Sequence, residues 1–206
     1  MRIGIVGGTG SFGRALVERL VALGHEVVIG SRDAGRAAEL AAVYGVEGKA
    51  NADAVQSVDL VILATRSTAT LDTARELADA IGVTPVLCVA SDLRFEQQGV
   101  LPGRLGTSLA EEVAAVLAGP VAAGLQSLAA VHLTQREPPD QDALVCGGDD
   151  DAKRISLELA DSLVAGRAID AGPLPNARAL EGLTAVILNV NKRYRAHAGI
   201  RVTGLE

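Results

Sequence analysis

The feature that narrows the possible folds most is the stretch Arg2-Ile-Gly-Ile-Val-Gly-Gly-Thr-Gly-Ser-Phe-Gly13, near the start of a 206-residue chain. A short apolar run suited to a buried strand passes straight into glycines spaced G-x-G-x-x-G at Gly8, Gly10 and Gly13, and these open a helical pattern over residues 11–23. The triplet alone is weak as a signal. Between a strand and a helix it has a physical reason: Gly8 is expected to permit the tight turn, Gly10 to let the backbone approach a pyrophosphate, and Gly13 to let helix and strand pack closely. The helix start then offers backbone amides and a partial positive charge to that phosphate. Gly8, Gly10, Ser11, Phe12 and Gly13 are therefore candidate cofactor-binding positions.

The rest of the chain fits the same architecture. Strand-like runs fall at 2–6, 26–30, 59–65, 85–90, 121–125, 143–147 and 167–171, with helical patterns between the first four and before the last. Such alternation predicts an α/β fold, a doubly wound, mainly parallel Rossmann sheet. The polar segment Gln135-Arg-Glu-Pro-Pro-Asp-Gln-Asp142 reads as a surface loop joining two late strands. Two helical stretches, 149–165 and 179–197, follow; three aspartates open the first and a basic turn at Lys192, Arg193 and Arg195 closes the second, each matching the helix dipole. The expected organisation is a nucleotide-binding domain over 1–148 and a small C-terminal helical lobe over 149–206.

The end of the second strand speaks to the choice of nucleotide. An NAD site usually places an acidic residue there for the ribose 2′-hydroxyl. This chain reads Gly30-Ser-Arg-Asp33 and then Arg36. A hydroxyl and two guanidiniums can hydrogen-bond and neutralise a 2′-phosphate that a carboxylate would repel, so Ser31, Arg32 and Arg36 point to NADP(H), with Asp33 as the one dissenting residue. At the end of the 59–65 run, Thr65 and Arg66 fall at the sheet's carboxyl edge, where they could line the nicotinamide ribose; Ser67 is equally suited to cap a helix over 68–81.

Composition removes several classes of function. Net charge is −6, sequence pI is near 5.1 and aromatic content is 2%, so neither a basic footprint nor stacking rings exist for nucleic acid. No apolar run approaches the ~20 residues needed to cross a bilayer, and the chain opens on a strand without a charged leader; a cytoplasmic protein with no membrane partner is expected. Cys88 and Cys146 lie far apart inside apolar runs and read as buried free thiols, and His25, His132 and His197 show no metal-ligand spacing. His132 reads as a packing residue rather than a proton donor.

Taken together the sequence resembles the family of NADPH-dependent reductases of coenzyme F420, an 8-hydroxy-5-deazaflavin. The blocks that carry the resemblance are residues 1–10, Leu23-Gly-His-Glu-Val-Val-Ile-Gly-Ser-Arg32, Cys146-Gly-Gly-Asp-Asp150, Asp170-Ala-Gly-Pro-Leu174 with Asn176 and Arg178, and Leu183-Thr184 with Leu188-Asn189. They span nearly the whole chain. The resemblance implies that Thr9, Ser31, Arg32 and Arg36 hold the NADP phosphates, Arg36 standing where the family often has lysine. It also implies F420 as co-substrate, laid against the nicotinamide in a cleft beside the C-terminal lobe, with Thr184 on that side, and a homodimer formed through that lobe. The departures are at Gln126-Ser-Leu-Ala-Ala130, where the family commonly shows His-Thr-Ile/Leu-Pro-Ala, and at a proline missing after the 59–65 run; Gln126 and Ser127 can still donate hydrogen bonds to a ring carbonyl.

The expected function is an oxidoreductase passing a hydride between NADP(H) and the deazaflavin, chemistry that the cofactors carry and that needs only orientation from the protein. Two other readings remain. One is another small NADPH reductase, of the imine, pyrroline-carboxylate or flavin-linked kind; the lysine pattern of β-hydroxyacid dehydrogenases is missing around Lys192. The other is a non-catalytic NADP-sensing module.

Overall fold

The structure, a computed structural model, describes residues 1–104 and 106–205. The first half alternates strictly: β1 (Arg2–Val6), α1 (Ser11–Ala22), β2 (Glu26–Ser31), α2 (Ala34–Tyr44), β3 (Glu47–Ala50), the short α3 (Asn51–Ala54), β4 (Leu60–Leu63), α4 (Ser67–Ile81) and β5 (Val86–Cys88). A hairpin of β6 (Leu93–Glu96) and β7 (Gly99–Pro102) follows, then α5 (Leu109–Ala114), β8 (Val121–Gly124), α6 (Ala130–Leu133), β9 (Ala143–Gly147), α7 (Asp151–Leu163) and β10 (Ala168–Asp170). A 3-10 turn, Leu174–Asn176, leads into α8 (Ala177–Tyr194), the longest helix described.

Eight of these strands make one sheet in the order β10-β9-β8-β5-β4-β1-β2-β3. Period-two alternation explains why both of its faces are covered. In β1 and β4, Ile3, Ile5, Leu60 and Ile62 face one layer with Leu16 and Leu20 of α1 and Leu159 of α7. Val6, Val61 and Leu63 face the other, with Ala74 and Leu77 of α4 and Leu180 of α8. All nine of the strand and α1 side chains named are fully buried. At about 25 cal/mol per Å² of apolar area removed from water, these two layers supply most of the driving force for the fold.

The doubly wound reading is thus realised, with differences that each have a cause. β3 carries Glu47-Gly-Lys-Ala50, too polar to read as a strand; it is an edge strand, half exposed, recruited by backbone pairing to β2. The β6–β7 hairpin is likewise outside the predicted elements, because its residues are mostly exposed and follow no apolar run. β9 runs antiparallel to β8, with Gly124 beside Val145, so β9 and β10 begin on the edge where the other strands end. Ser67 is not a cap: it is the first residue of α4, preceded by Arg66, and makes no capping hydrogen bond. The loop over 135–142 is exposed at residues 135–137 and at Asp140, yet Pro139, Gln141 and Asp142 are buried. Position 148/149 does not divide the sheet, since β10 pairs with β9 across it and α7 packs under both.

Candidate functional site

The glycine loop is held tightly. Gly7, not Gly8, adopts the left-handed conformation of the turn, with φ +85°, and a Cβ on Gly7 would lie 2.7 Å from the Ala64 carbonyl oxygen. The turn role expected of Gly8 therefore belongs to its neighbour. Gly8 is instead confined by side chains of β1 and β2, a Cβ there meeting the Ile29 Cγ2 at 3.0 Å. At Gly13 a Cβ would sit 2.4 Å from the Gly7 carbonyl oxygen, so only glycine lets α1 start this close to β1. Gly10 is exposed and precedes α1 without a side-chain cap. The first-turn amides of Ser11, Phe12 and Gly13 have no acceptor within the helix, which makes them the natural seat for an anion.

Around this loop a cavity of about 660 Å³ opens at the carboxyl edge of β1, β2 and β4. Thr9 and Gly10 line it from the loop, Ser31, Arg32 and Arg36 from the β2–α2 junction, and Thr65 and Arg66 from the β4–α4 junction. Seven of the candidate residues thus meet in one place. Gly8, Ser11, Phe12 and Gly13 shape the loop without lining the cavity, and Gln126, Ser127 and Thr184 stand elsewhere on the same edge.

Local hydrogen bonds settle what each wall presents. Asp33 lines the cavity, but its carboxylate caps α2 by accepting from the Arg36 amide at 3.1 Å. An acid that would otherwise argue for a ribose diol is thereby engaged by the backbone. The Ser31 hydroxyl accepts from the Asp33 amide at 3.2 Å, leaving its own proton to donate outward. This end of the cavity is accordingly rich in donors: one hydroxyl and two exposed guanidiniums. At the other end, Thr70 donates to the Arg66 carbonyl and stands 2.8 Å from the Thr65 hydroxyl, so the Thr65 proton is used internally and its lone pairs remain for a ligand.

A second polar group lies where β5, β8 and α8 meet. Thr184 of α8 donates to the Gln126 carbonyl at 3.0 Å and stands 2.9 Å from the Ser91 hydroxyl beyond β5. Leu125, fully buried, turns the chain here in the left-handed region with φ +70°, a conformation that a branched side chain rarely adopts away from functional sites. The Gln126 amide nitrogen donates one of its two N–H groups to the Cys88 carbonyl at 3.2 Å, which leaves the second for a ring carbonyl. Its Oε1 and the Ser127 hydroxyl are both buried without a partner.

Below Thr184, the buried Glu181 accepts from the amides of Leu109 and Ala110 at 2.9 and 3.4 Å, tying α8 to α5. Burial pushes this carboxyl up to about 7 from 4.5. The folded state therefore holds its proton more tightly than the unfolded chain, and stability falls as pH rises from about 4.5 through about 7. Glu181→Gln keeps an oxygen for the amides and carries no charge, so its melting temperature should lack this decline across pH 5–8; an unchanged pH profile would refute the assignment. Cys88 and Cys146 are buried free thiols, both pushed up to about 12 by burial and thus inert as nucleophiles. His132 packs edge-on against His197, ring centres 5.9 Å apart, in the chain's C-terminal segment.

Comparison with known proteins adds the decisive observation. Residues 2–88 match the family described as NADP oxidoreductase, coenzyme F420-dependent. Over its full length the chain is 34% identical to the F420-dependent NADP reductase of Methanothermobacter thermautotrophicus, covering 96% of that protein, and 34% identical to that of Methanocaldococcus jannaschii, covering all of it. The chain belongs to the F420-dependent NADP reductase family. The fold agrees: a candidate F420 dependent NADP-reductase from Arthrobacter sp. FB24 superposes with a TM-score of 0.87 at 24% identity, over 99% of this chain and all of that one. An imine reductase from Streptomyces aurantiacus shares the fold more distantly, with a TM-score of 0.64 at 20% identity, over 95% of this chain and 62% of its own.

Proposed function

We propose that the protein is an oxidoreductase that moves a hydride between NADP(H) and coenzyme F420. The observation that carries the reading is full-length kinship to reductases of that activity, joined to a donor-rich cavity in which Asp33 is diverted to capping. Ser31, Arg32 and Arg36 would hold the 2′-phosphate, Thr9 and the first-turn amides of α1 the pyrophosphate, and Thr65 and Arg66 the nicotinamide ribose. When bound, the nicotinamide supplies the hydride and the deazaflavin carbon takes it; the protein aligns the two and excludes water.

On the acceptor side, Gln126, Ser127 and Thr184 form the candidate pocket within the segment from β8 to α8. An unpaired acceptor, Gln126 Oε1, and an unpaired hydroxyl, Ser127, complement the N–H and C=O of a ring imide. Leaving either buried atom unpaired costs about 1–3 kcal/mol, which a polar ligand edge would offset. The C-terminal portion from residue 149, and α8 in particular, adds Thr184 to this side and supplies the contact of a homodimer; Val186 and Tyr194 on α8 are exposed apolar side chains, as is Phe95 on the hairpin. A cytoplasmic setting accords with the two buried free thiols.

The test is to mix the purified protein with NADPH and oxidised F420 and follow the deazaflavin absorbance. Bleaching with NADPH supports the proposal. Failure with F420 but turnover of a cyclic imine or a flavin would replace it with one of the other reductase readings, and tight NADPH binding with no turnover of any acceptor would leave a sensing module.

A further inference from the structure

One wall of the cavity is made by a residue that no motif marks. β3 pairs in parallel with β2 and its last residue, Ala50, stands beside Ser31. Asn51 therefore comes one step beyond that pair, as Arg32 does, and it lines the same cavity. The bare backbone at Gly30 makes room for it, since a Cβ there would lie 3.0 Å from Asn51 Oδ1 and 3.2 Å from the Ala54 Cβ.

The Asn51 carboxamide has no work inside the fold. It makes no hydrogen bond to any described residue, and its Oδ1 is buried without a partner. An asparagine at a helix start commonly accepts from an amide of the first turn. Here the residue ahead of α3 is Ala50, and no side chain caps this helix. With Oδ1 turned inward, the atom left to face the cavity is the amide nitrogen, a donor. Beside it stand the outward-donating Ser31 hydroxyl and the guanidiniums of Arg32 and Arg36.

We propose that Asn51 is a further cofactor-binding residue, whose carboxamide N–H donates to the 2′-phosphate of NADP(H). The inference rests on the cavity being the NADP site, as proposed above. A phosphate offers only acceptors, and a fourth donor without charge adds a hydrogen bond while leaving the electrostatic balance to the two arginines. The contact would favour the 2′-phosphorylated nucleotide, because a hydrogen bond to an ionised acceptor is roughly twice as strong as one to a hydroxyl.

The test uses two fragments, 2′,5′-ADP and 5′-AMP, titrated calorimetrically into the unmodified protein, Asn51→Ala and Asn51→Asp. The unmodified protein should bind 2′,5′-ADP the more tightly. Asn51→Ala should weaken 2′,5′-ADP by about tenfold, the scale of one hydrogen bond to a charged group, and 5′-AMP by less than about threefold. Asn51→Asp preserves shape and suits the start of a helix, yet sets a negative charge against the phosphate. It should weaken 2′,5′-ADP further, which gives the test a second variant beside alanine. Unchanged 2′,5′-ADP affinity in both variants, or equal weakening of both fragments, would overturn the role of Asn51 and leave the NADP reading standing. An unmodified protein that does not prefer 2′,5′-ADP would overturn the NADP reading itself.

Discussion

Arg32→Glu is expected to weaken NADPH binding by about 30- to 100-fold while altering NADH affinity by less than about threefold. The scale follows from losing a charge-assisted hydrogen bond of roughly 1.5–3 kcal/mol, where about 1.4 is a factor of ten, and from setting a carboxylate against a phosphate in its place. Arg32 is exposed at the cavity mouth, so solvent and salt keep the effect below what a buried charge would show. Asp33, already beside it, should not have the same effect, because its carboxylate accepts from the Arg36 amide. Fluorescence titration of both nucleotides checks the expectation, and equal affinity of the unmodified protein for NADPH and NADH would refute it.

Asp142→Ala is expected to destabilise the fold by about 3 kcal/mol, the low end for breaking a buried ion pair, because Arg167 remains partly hydrated. Asp142 is fully buried and gathers the C-terminal segment: it accepts from the Arg167 guanidinium at 2.9 Å, from the Arg167 amide at 2.9 Å and from the Val202 amide at 2.8 Å, while its own amide donates to the Ile200 carbonyl at 2.7 Å. For a chain of this size such a loss lowers the melting temperature by about 6–12 °C. NADPH affinity should stay within about threefold, since Asp142 does not line the cavity. The Arg167 guanidinium holds the Asp142 carboxyl well below its ordinary 3.8. Its contribution is therefore complete at any pH above that ordinary value and is lost as pH falls through the lower folded value. A variant as stable as the parent at pH 7 would show that other contacts fasten the segment.

The parts of this molecule legible in the sequence are those whose physics is local. Buried strands such as β1 and β9 appear within a residue of their apolar runs, and the strand–glycine–helix junction fixes the cavity's place. Ser31 and Arg32 stand where the second strand ends, as their position predicts. What escaped depends on partners distant along the chain. β3 is polar and exists because β2 pairs with it, and Asn51 reaches the cavity only through that pairing. The reversal of β9 is set by the route of residues 125–142, which no periodicity reports. Whether Gly7 or Gly8 bears the positive φ, and whether Asp33 faces a ribose or an amide, are questions of one bond rotation that spacing does not answer.

The strand order also governs what a ribosome releases first. β1, β2 and β4, which frame the nucleotide cavity, are all built from residues 2–63. The clasp on Asp142 joins it to residues about sixty positions later, Ile200 and Val202. During synthesis the nucleotide half can thus assemble while the clasp has yet to emerge, and any ligand that prefers the assembled half stabilises it by mass action. Cellular NADP(H) would then act on this protein before the protein acts on it, as a template that holds the nascent sheet in register until α8 arrives to close the other side.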